Sequence, residues 1–123
     1  MIKTENLPKE LIIELNEPRE QMEHKVEKKT LEGIDEIQYL KVAPKTAIKT
    51  HGHKDQWEVW VWTSEKKVYV CPKNERHTCV NNSDASIILM AVKGHIDYSY
   101  EELEGVFSDL GFSVIKGDLL NLN

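Results

Sequence analysis

The sequence predicts an all-β domain with one amphipathic helix near its C-terminus and an irregular N-terminal segment. From residue 36 onward, short runs of β-branched and aromatic residues follow one another, and turn residues separate them. The clearest helical periodicity comes after these runs. Many short strands with frequent turns are typical of a β-sandwich or β-barrel, whereas alternating strands and helices would indicate an α/β fold.

The strongest predicted strand is 57–62, WEVWVW, in which every residue but Glu58 is aromatic or β-branched. A tight turn at 63–66 leads into 67–71, so these two strands are predicted to form a hairpin. Because 86–92 is apolar after its first residue, we expect this strand to be buried on both faces. The other predicted strands are 36–42, 46–51 after a break at 43–45, 76–81 after a turn at 72–75, and a short last strand at 112–115.

The predicted helix spans about 99–111. Ser99, with Glu102 three residues later, forms a capping-box pattern, which marks a helix N-terminus. Gly111 is expected to end the helix. Apolar residues recur with the spacing of one helix face, at Leu103, Val106, Phe107 and Leu110. We expect this face to pack on the outside of the barrel.

The first third of the chain is polar and locally ambiguous. LIIEL, at 11–15, is compatible with a short strand. The stretch 16–29 is compatible with a helix opened by Asn16 and Pro18, and equally with the entry into a strand. A turn is expected at 31–35, because its glycine tolerates positive φ.

Composition excludes several classes of function. With 123 residues, the chain is predicted to form a single domain over 1–123. The net charge is −5 and both signs are interspersed, which argues against binding to nucleic acid or to an anionic membrane. Because there is neither a spanning apolar run nor a signal-peptide pattern, we expect a soluble cytoplasmic protein. Cys71 and Cys79 are then expected to be reduced, buried thiols.

Three histidines and one glutamate form the constellation that points to chemistry. His51 and His53 are two residues apart on a predicted strand, and therefore share one face. A turn at 54–56 would bring Glu58 back beside them, and His77 lies on a third strand. Three imidazoles and one carboxylate suit one divalent transition metal, namely Mn, Fe, Co, Ni or Zn. Octahedral coordination would leave two positions open.

These residues resemble the two motifs of the cupin superfamily, over about 38–93. The first motif, H-x-H-x4-E, is matched by His51, His53 and Glu58; the second, P-x-G-x-x-H-x3-N, by Pro72, His77 and Asn81. The resemblance implies a cupin-type jelly-roll β-barrel in which His51, His53, Glu58 and His77 bind the metal.

The chain departs from the cupin motifs at their glycines. Lys45 and Glu65 stand at the opening and closing Gly of the first motif. Lys66 stands at the opening Gly of the second, and Asn74 at the Gly of its turn. Asn tolerates the left-handed conformation nearly as well as Gly. Because residues 65 and 66 are adjacent, the hairpin that connects the motifs must be very short.

Strand parity extends the site to a substrate pocket. Residues two or four apart from a ligand on the same strand share its face, and this set comprises Lys49, Trp60, Trp62, Cys79 and Asn81. The tryptophans would stack on a planar or sugar-like ligand, or simply fill the barrel. Lys49 would bind an anionic group, or form a salt bridge at the rim. Cys79 would be a packed thiol, or a redox-active neighbour of the metal.

Residues of the opposite parity point to an oligomer. Trp57, Val59 and Val61 would face outward, and an aromatic outer face on a barrel often pairs with a second subunit. We therefore expect a homodimer.

The leading functional hypothesis is a metal-dependent enzyme, of the isomerase, lyase or dioxygenase type, that acts on a small polar metabolite. No separate general base can be placed beside the site. The alternative is a non-catalytic binding protein for a sugar or another metabolite. A third reading is a cupin without a metal.

Overall fold

The computed structural model describes residues 9–16, 28–31, 34–71, 74–95, 98–117 and 119–122. The elements in chain order are α1 Lys9–Asn16, β1 Lys28–Leu31, β2 Ile34–Val42, β3 Thr46–Ala47, β4 His51–Gly52, β5 Trp57–Trp62, β6 Lys67–Cys71, β7 Arg76–His77, β8 Cys79–Asn81, β9 Ile87–Gly94, α2 Tyr100–Asp109, β10 Ser113–Ile115 and β11 Leu120–Asn121. None of the helices in these ranges is long and apolar enough to cross a membrane.

The strands form a six-stranded sheet in the order β1-β2-β9-β5-β6-β10, a three-stranded sheet β11-β8-β3 and a two-stranded sheet β4-β7. The predicted β-rich fold with a C-terminal helix is confirmed. The sheets of the described residues do not close into a barrel, so the jelly roll stays a prediction. Parallel pairs occur where the end of the chain returns, with β10 beside β6 and β11 beside β8.

One face of the six-stranded sheet, which we call the helix-covered face, packs against α1 and α2. Its core consists of alternate strand residues and the apolar sides of the helices: Ile37, Tyr39, Trp57, Val59, Val61, Val68, Val70, Met90 and Val92 with Leu11, Leu15, Leu103, Val106, Phe107 and Phe112. The predicted capping box of α2 is present, with Ser99 as the N-cap and Glu102 as its partner. The predicted helix is thus confirmed, and its apolar side packs against this sheet.

This packing removes the reason for expecting a dimer. Trp57 is 3% exposed, and Val59 and Val61 are fully buried, all within a single chain. They lie on the face opposite to Glu58, as the parity predicted, but the helices of this same chain cover that face. The homodimer itself stays a prediction.

The opposite face, which we call the site face, holds a second core. Its members alternate with those of the first and include residues from two other strands and the C-terminus: Val42, Trp60, Trp62, Tyr69, Cys71, Cys79, Leu89, Ala91, Leu120 and Leu122. The sequence analysis did not predict β11, which brings Leu120 and Leu122 into this core at 1% and 0% exposure. Hydrophobic side chains therefore fill the middle of this face.

Three local predictions were wrong or incomplete. LIIEL is part of helix α1, because Leu11 and Leu15 stand four residues apart and together contact the sheet. The predicted strand 46–51 is two short strands, since β3 pairs with β8 whereas β4 pairs with β7. The strand 76–81 is divided in the same way at Thr78.

Other predictions fall partly outside the described residues. Of the stretch 16–29, residues 17–27 lie outside, and Lys28 begins β1. The centre of the turn at 31–35 also lies outside, although Leu31 pairs with Ile34 across it. Pro72 of the second motif is likewise not described.

Three of the four non-glycine residues at the motif's Gly positions have a left-handed backbone. The φ angles are 56° at Lys45, 55° at Lys66 and 63° at Asn74. Glu65 lies in the 3₁₀ turn Thr63–Glu65 instead. Because a side chain disfavours this conformation by about 1–2 kcal/mol per residue, the surrounding structure must hold these turns. The chain retains the backbone shape that glycine favours without the glycine.

Candidate metal centre

Two histidines of the site are placed by the short β4-β7 pair. His51 and His77 are direct register partners, and Gly52 stands opposite Arg76. A Cβ atom on Gly52 would lie 2.9 Å from the backbone oxygen of Glu75, so only glycine lets the two strands approach this closely. The glycine between the two histidines of the first motif therefore permits the pairing that brings His51 to His77.

The other two side chains come from the loop after β4 and from β5. Glu58 lies near the start of β5, at 2% exposure. His53 lies in a loop that two hydrogen bonds with Asn74 hold in place. The backbone N–H of Asn74 donates to the backbone carbonyl of His53 at 3.1 Å. The backbone N–H of Asp55 donates to the side-chain Oδ1 of Asn74, also at 3.1 Å. The left-handed turn at Asn74 thereby positions a histidine of the other motif.

The side-chain ligand atoms of the four predicted ligands lie close to one another. Glu58 Oε1 lies 2.7 Å from His77 Nε2, 3.1 Å from His53 Nε2 and 4.0 Å from His51 Nε2. The Nε2 atoms of His51 and His77 are 3.1 Å apart. One ligand atom from each of the four residues lies within 4.8 Å of all the others, so the group can hold a metal ion.

These spacings fit octahedral coordination. With metal–donor distances of about 2.1 Å, neighbouring octahedral ligand atoms are about 3.0 Å apart and opposite ones about 4.2 Å apart. The separations of 2.7, 3.1 and 3.1 Å are close to those of neighbouring ligand atoms, and the 4.0 Å between Glu58 and His51 stays within the span of such a coordination shell. Four ligands then leave two positions of the octahedron open.

Hydrogen bonding orients one imidazole for this role. His51 Nδ1 lies 2.7 Å from the Lys49 carbonyl oxygen, to which it can only donate. The lone pair of a neutral His51 is then on Nε2, which faces the other ligands. His77 Nδ1, in contrast, is buried and has no hydrogen-bond partner among the residues that the structure describes.

Electrostatics favours the protonation states that a metal requires. Burial lowers the pKa of His53, although Glu58 acts in the opposite direction, and Lys93 adds to the lowering. For Glu58, burial raises the pKa, but the hydrogen bond from His77 and the charge of Lys93 outweigh it, so that the pKa is lowered overall. Neutral imidazole and ionised carboxylate are the metal-binding forms of these side chains.

Access to the centre is one-sided. The side chains of His51 and His53 are 38% and 24% exposed, whereas those of Glu58 and His77 are 2% and 3% exposed. Glu58 and His77 therefore form the inner wall, and any molecule that reaches the centre passes His51 and His53.

The sequence analysis missed a lysine beside the centre. Lys93 Nζ lies 3.7 Å from Glu58 Oε2, and 3.4 Å from both Glu36 Oε1 and Gln38 Oε1. The signal was available, because strand parity from Leu89 points Lys93 to the site face. It was lost because the predicted strand ended at residue 92, whereas β9 continues to Gly94.

The predicted pocket residues lie mostly in packed surroundings. Trp60 and Cys79 are fully buried, and Trp60 meets the His77 ring edge to face, with centroids 5.0 Å apart. Lys49 is exposed, and its backbone carbonyl is what contacts His51. A side chain with no exposed surface contacts no ligand in this conformation, so the substrate-binding roles of these residues stay predictions.

Trp62 borders a different opening. It is 9% exposed and lines a cavity of about 320 Å³ together with Thr63, Ser64, Glu65, Ser86, Ile87 and Ile88. Four residues along a strand separate Trp62 from Glu58 by about 13 Å. This cavity is therefore remote from the metal centre.

The side chain of Asn81 forms hydrogen bonds with the backbone of two turns. Its amide nitrogen lies 3.0 Å from the Val42 carbonyl oxygen, 3.1 Å from that of Ala43 and 2.9 Å from that of Ala85. Its Oδ1 accepts from the Ser83 amide at 3.0 Å. The buried motif asparagine thus satisfies its hydrogen bonds within the fold.

Both cysteines are buried free thiols. Burial is the main cause that raises the pKa of Cys79, to about 11. Burial also raises the pKa of Cys71, to which Glu58 and Cys79 contribute. Because the thiolate is the reactive form, the packed-thiol interpretation describes both residues in this structure better than a redox role.

Comparisons with protein-family models, with curated proteins and with solved structures found no match. The interpretation of this site therefore depends on the geometry of His51, His53, Glu58 and His77.

Proposed function

We propose that this chain is a cupin-type metal-binding protein that holds one divalent transition metal and acts enzymatically on a small polar metabolite. The observation that supports it best is the convergence of three Nε2 atoms and one carboxylate oxygen at octahedral spacings. The left-handed backbone at Lys45, Lys66 and Asn74 supports the cupin resemblance independently of the ligands.

A divalent metal in this centre would supply Lewis acidity, which isomerases and lyases use, and iron would also supply the redox chemistry of dioxygenases. The chain's own residues have separable tasks. Glu58 and His77 hold the buried side of the centre and exclude water there. His51 and His53 leave an approach from solvent, through which a metabolite would reach the open positions.

A non-catalytic binding protein is the second candidate, and one observation favours it. Trp60, Cys79 and Asn81, which were predicted to line a substrate pocket, are fully buried. A metabolite would then contact the centre only at its His51 and His53 side. A cytoplasmic location and a homodimer belong to the proposal as predictions from sequence.

Metal analysis of protein purified without chelator tests the proposal. We expect about one equivalent of metal per chain, directly or after reconstitution with Mn, Fe, Co, Ni or Zn. His77→Ala should weaken metal binding by about 100-fold or more, since losing a ligand costs at least as much as losing a residue that supports one. His95→Ala is the matched control, because His95 is an exposed histidine that pairs with Asp35 at 2.6 Å.

The proposal fails if the reconstituted wild type takes up no metal, or if both variants bind it equally well. Turnover then separates the two candidate functions. Metal-loaded protein would be incubated in D₂O with a panel of ketoses, 2-oxo acids and thiols, and products and deuterium incorporation followed by NMR. Deuterium incorporation or product formation that His77→Ala abolishes and His95→Ala keeps supports the enzyme. Binding without either supports the non-catalytic alternative.

A further inference from the structure

A row of alternating charges crosses the six-stranded sheet beside the metal centre. Lys93 is the direct register partner of Glu36 on β2 and of Glu58 on β5. Residues directly opposite each other on neighbouring strands point to the same face of the sheet. The three side chains therefore form a row of negative, positive and negative charge that ends at a predicted metal ligand.

The two oxygens of Glu58 have different neighbours. Oε1 faces the imidazoles, at 2.7 Å from His77 Nε2 and 3.1 Å from His53 Nε2. Oε2 faces Lys93 Nζ at 3.7 Å. A carboxylate can bind a metal through one oxygen or through both, and in this arrangement the second oxygen points at a cation.

Lys93 is itself held in place. Its side chain is only 13% exposed, and Glu36 Oε1 and Gln38 Oε1 each lie 3.4 Å from Nζ. A largely buried ammonium requires such partners, because desolvation of an unpaired charge is costly. Glu36 and Gln38 thus anchor the lysine, and the lysine faces Glu58.

We infer that Lys93 is a positioning residue that holds Oε2 of Glu58, so that the carboxylate presents Oε1 alone to the metal and both open positions stay free for a ligand. This inference rests on the proposed metal-binding function. Two consequences follow from removing the charge of Lys93. The second oxygen becomes available to the metal, and a cation that repels the metal disappears.

The test compares Co²⁺-loaded wild type with Lys93→Met, which keeps an unbranched side chain of similar size without charge. We expect Lys93→Met to keep one equivalent of Co²⁺, and its visible absorption spectrum to change as Glu58 Oε2 replaces a water molecule at one open position. In competition with a chelator it should bind Co²⁺ about tenfold more tightly, since a nearby cation opposes a second one. If Lys93 only stabilised the fold around the site, Lys93→Met would instead bind Co²⁺ more weakly than the wild type.

Three further variants keep the result interpretable. Lys93→Arg restores the charge and should retain the wild-type spectrum. The double variant Glu36→Gln with Lys93→Met also removes the charge of Glu36, with which Lys93 pairs, and should reproduce the change even if the single variant fails to fold. Lys116→Met is the matched control, because Lys116 is an exposed lysine that pairs with Glu104 at 3.0 Å.

An unchanged Co²⁺ spectrum in both Lys93→Met and the double variant would overturn the inference, as would weaker binding in both. Failure of the proposed function is distinguishable, because the wild-type protein would then take up no metal, whatever the variants do. That result would overturn both proposals.

Discussion

The two faces of the six-stranded sheet are built from the same strands but differ in composition and in role. The helix-covered face is apolar along its length, from Trp57 through Val61 on β5. The site face is apolar around Trp60, Trp62 and Leu89, but at one end it carries the charges of Glu58 and Lys93. One strand therefore contributes alternate residues to a hydrophobic core and to a candidate metal centre.

The difference shows why the charges are tolerated. A polar group can be buried when it is paired, and each charge at the end of the site face has partners from a neighbouring strand or loop. The helix-covered face is closed instead by the apolar sides of helices α1 and α2. We expect the first face to determine stability, and the second to determine binding.

The largest expected effect lies on the helix-covered face. Phe107→Ala should lower the free energy of unfolding by about 3–5 kcal/mol, because it leaves a cavity in a packed core. Phe107 is 3% exposed and contacts Phe112, with ring centroids 6.1 Å apart. Urea denaturation measures the change, and Leu119→Ala, at a leucine 39% exposed, is the control.

The folded fraction of Phe107→Ala should still bind metal with the affinity of the wild type. A parallel loss of metal affinity in the native protein would break the separation between the two faces.

A smaller effect is expected on the site face at alkaline pH. Burial raises the pKa of the Cys79 thiol to about 11 in the folded chain, against about 9 in the unfolded chain. The unfolded chain therefore loses this proton first, so that the stabilisation is complete below about pH 9 and is lost as the pH rises towards 11. Cys71, whose pKa is also raised, acts in the same direction.

Unfolding free energies measured in reducing buffer at pH 8, 9 and 10 check this. The double variant Cys71→Ala with Cys79→Ala should show a shallower decline than the wild type, and the difference isolates the thiols from other alkaline groups. Equal slopes in the two proteins would contradict the prediction. So would rapid reaction of the native thiols with a thiol reagent at pH 8.

The smallest expected effect concerns the hairpin that joins β5 to β6 and that both faces share. Lys66 has φ of 55°, a conformation that glycine adopts without strain. Lys66→Gly should therefore be more stable than Lys66→Ala by about 1 kcal/mol, since the alanine keeps the Cβ that disfavours this conformation. Both variants lose the contact of Nζ with the Phe112 ring at 4.8 Å, so their comparison isolates the backbone.

Thermal unfolding of the two variants measures this difference. Equal stabilities would show that the turn at Lys66 is not strained, and would weaken the link between its backbone and the motif glycine.

Much of the fold followed from local pattern. The aromatic and β-branched residues of WEVWVW predicted the strand, and the period of two that every strand has predicted how its residues divide between two faces. The capping box at Ser99 and the spacing of Leu103, Val106 and Phe107 likewise predicted α2. Helix α1 was missed, because LIIEL is too short for its period to distinguish helix from strand.

The sequence by itself determined which residues form the candidate metal centre, since motif spacing selected His51, His53, Glu58 and His77 and the structure brings them together. Only the tertiary structure decided what surrounds them. Lys93 reaches Glu58 from another strand, and Leu122 belongs to the same core cluster as Trp60 and Cys79, two residues predicted to line a pocket. Such contacts join residues far apart in the chain, and no local period or spacing encodes which strands become neighbours.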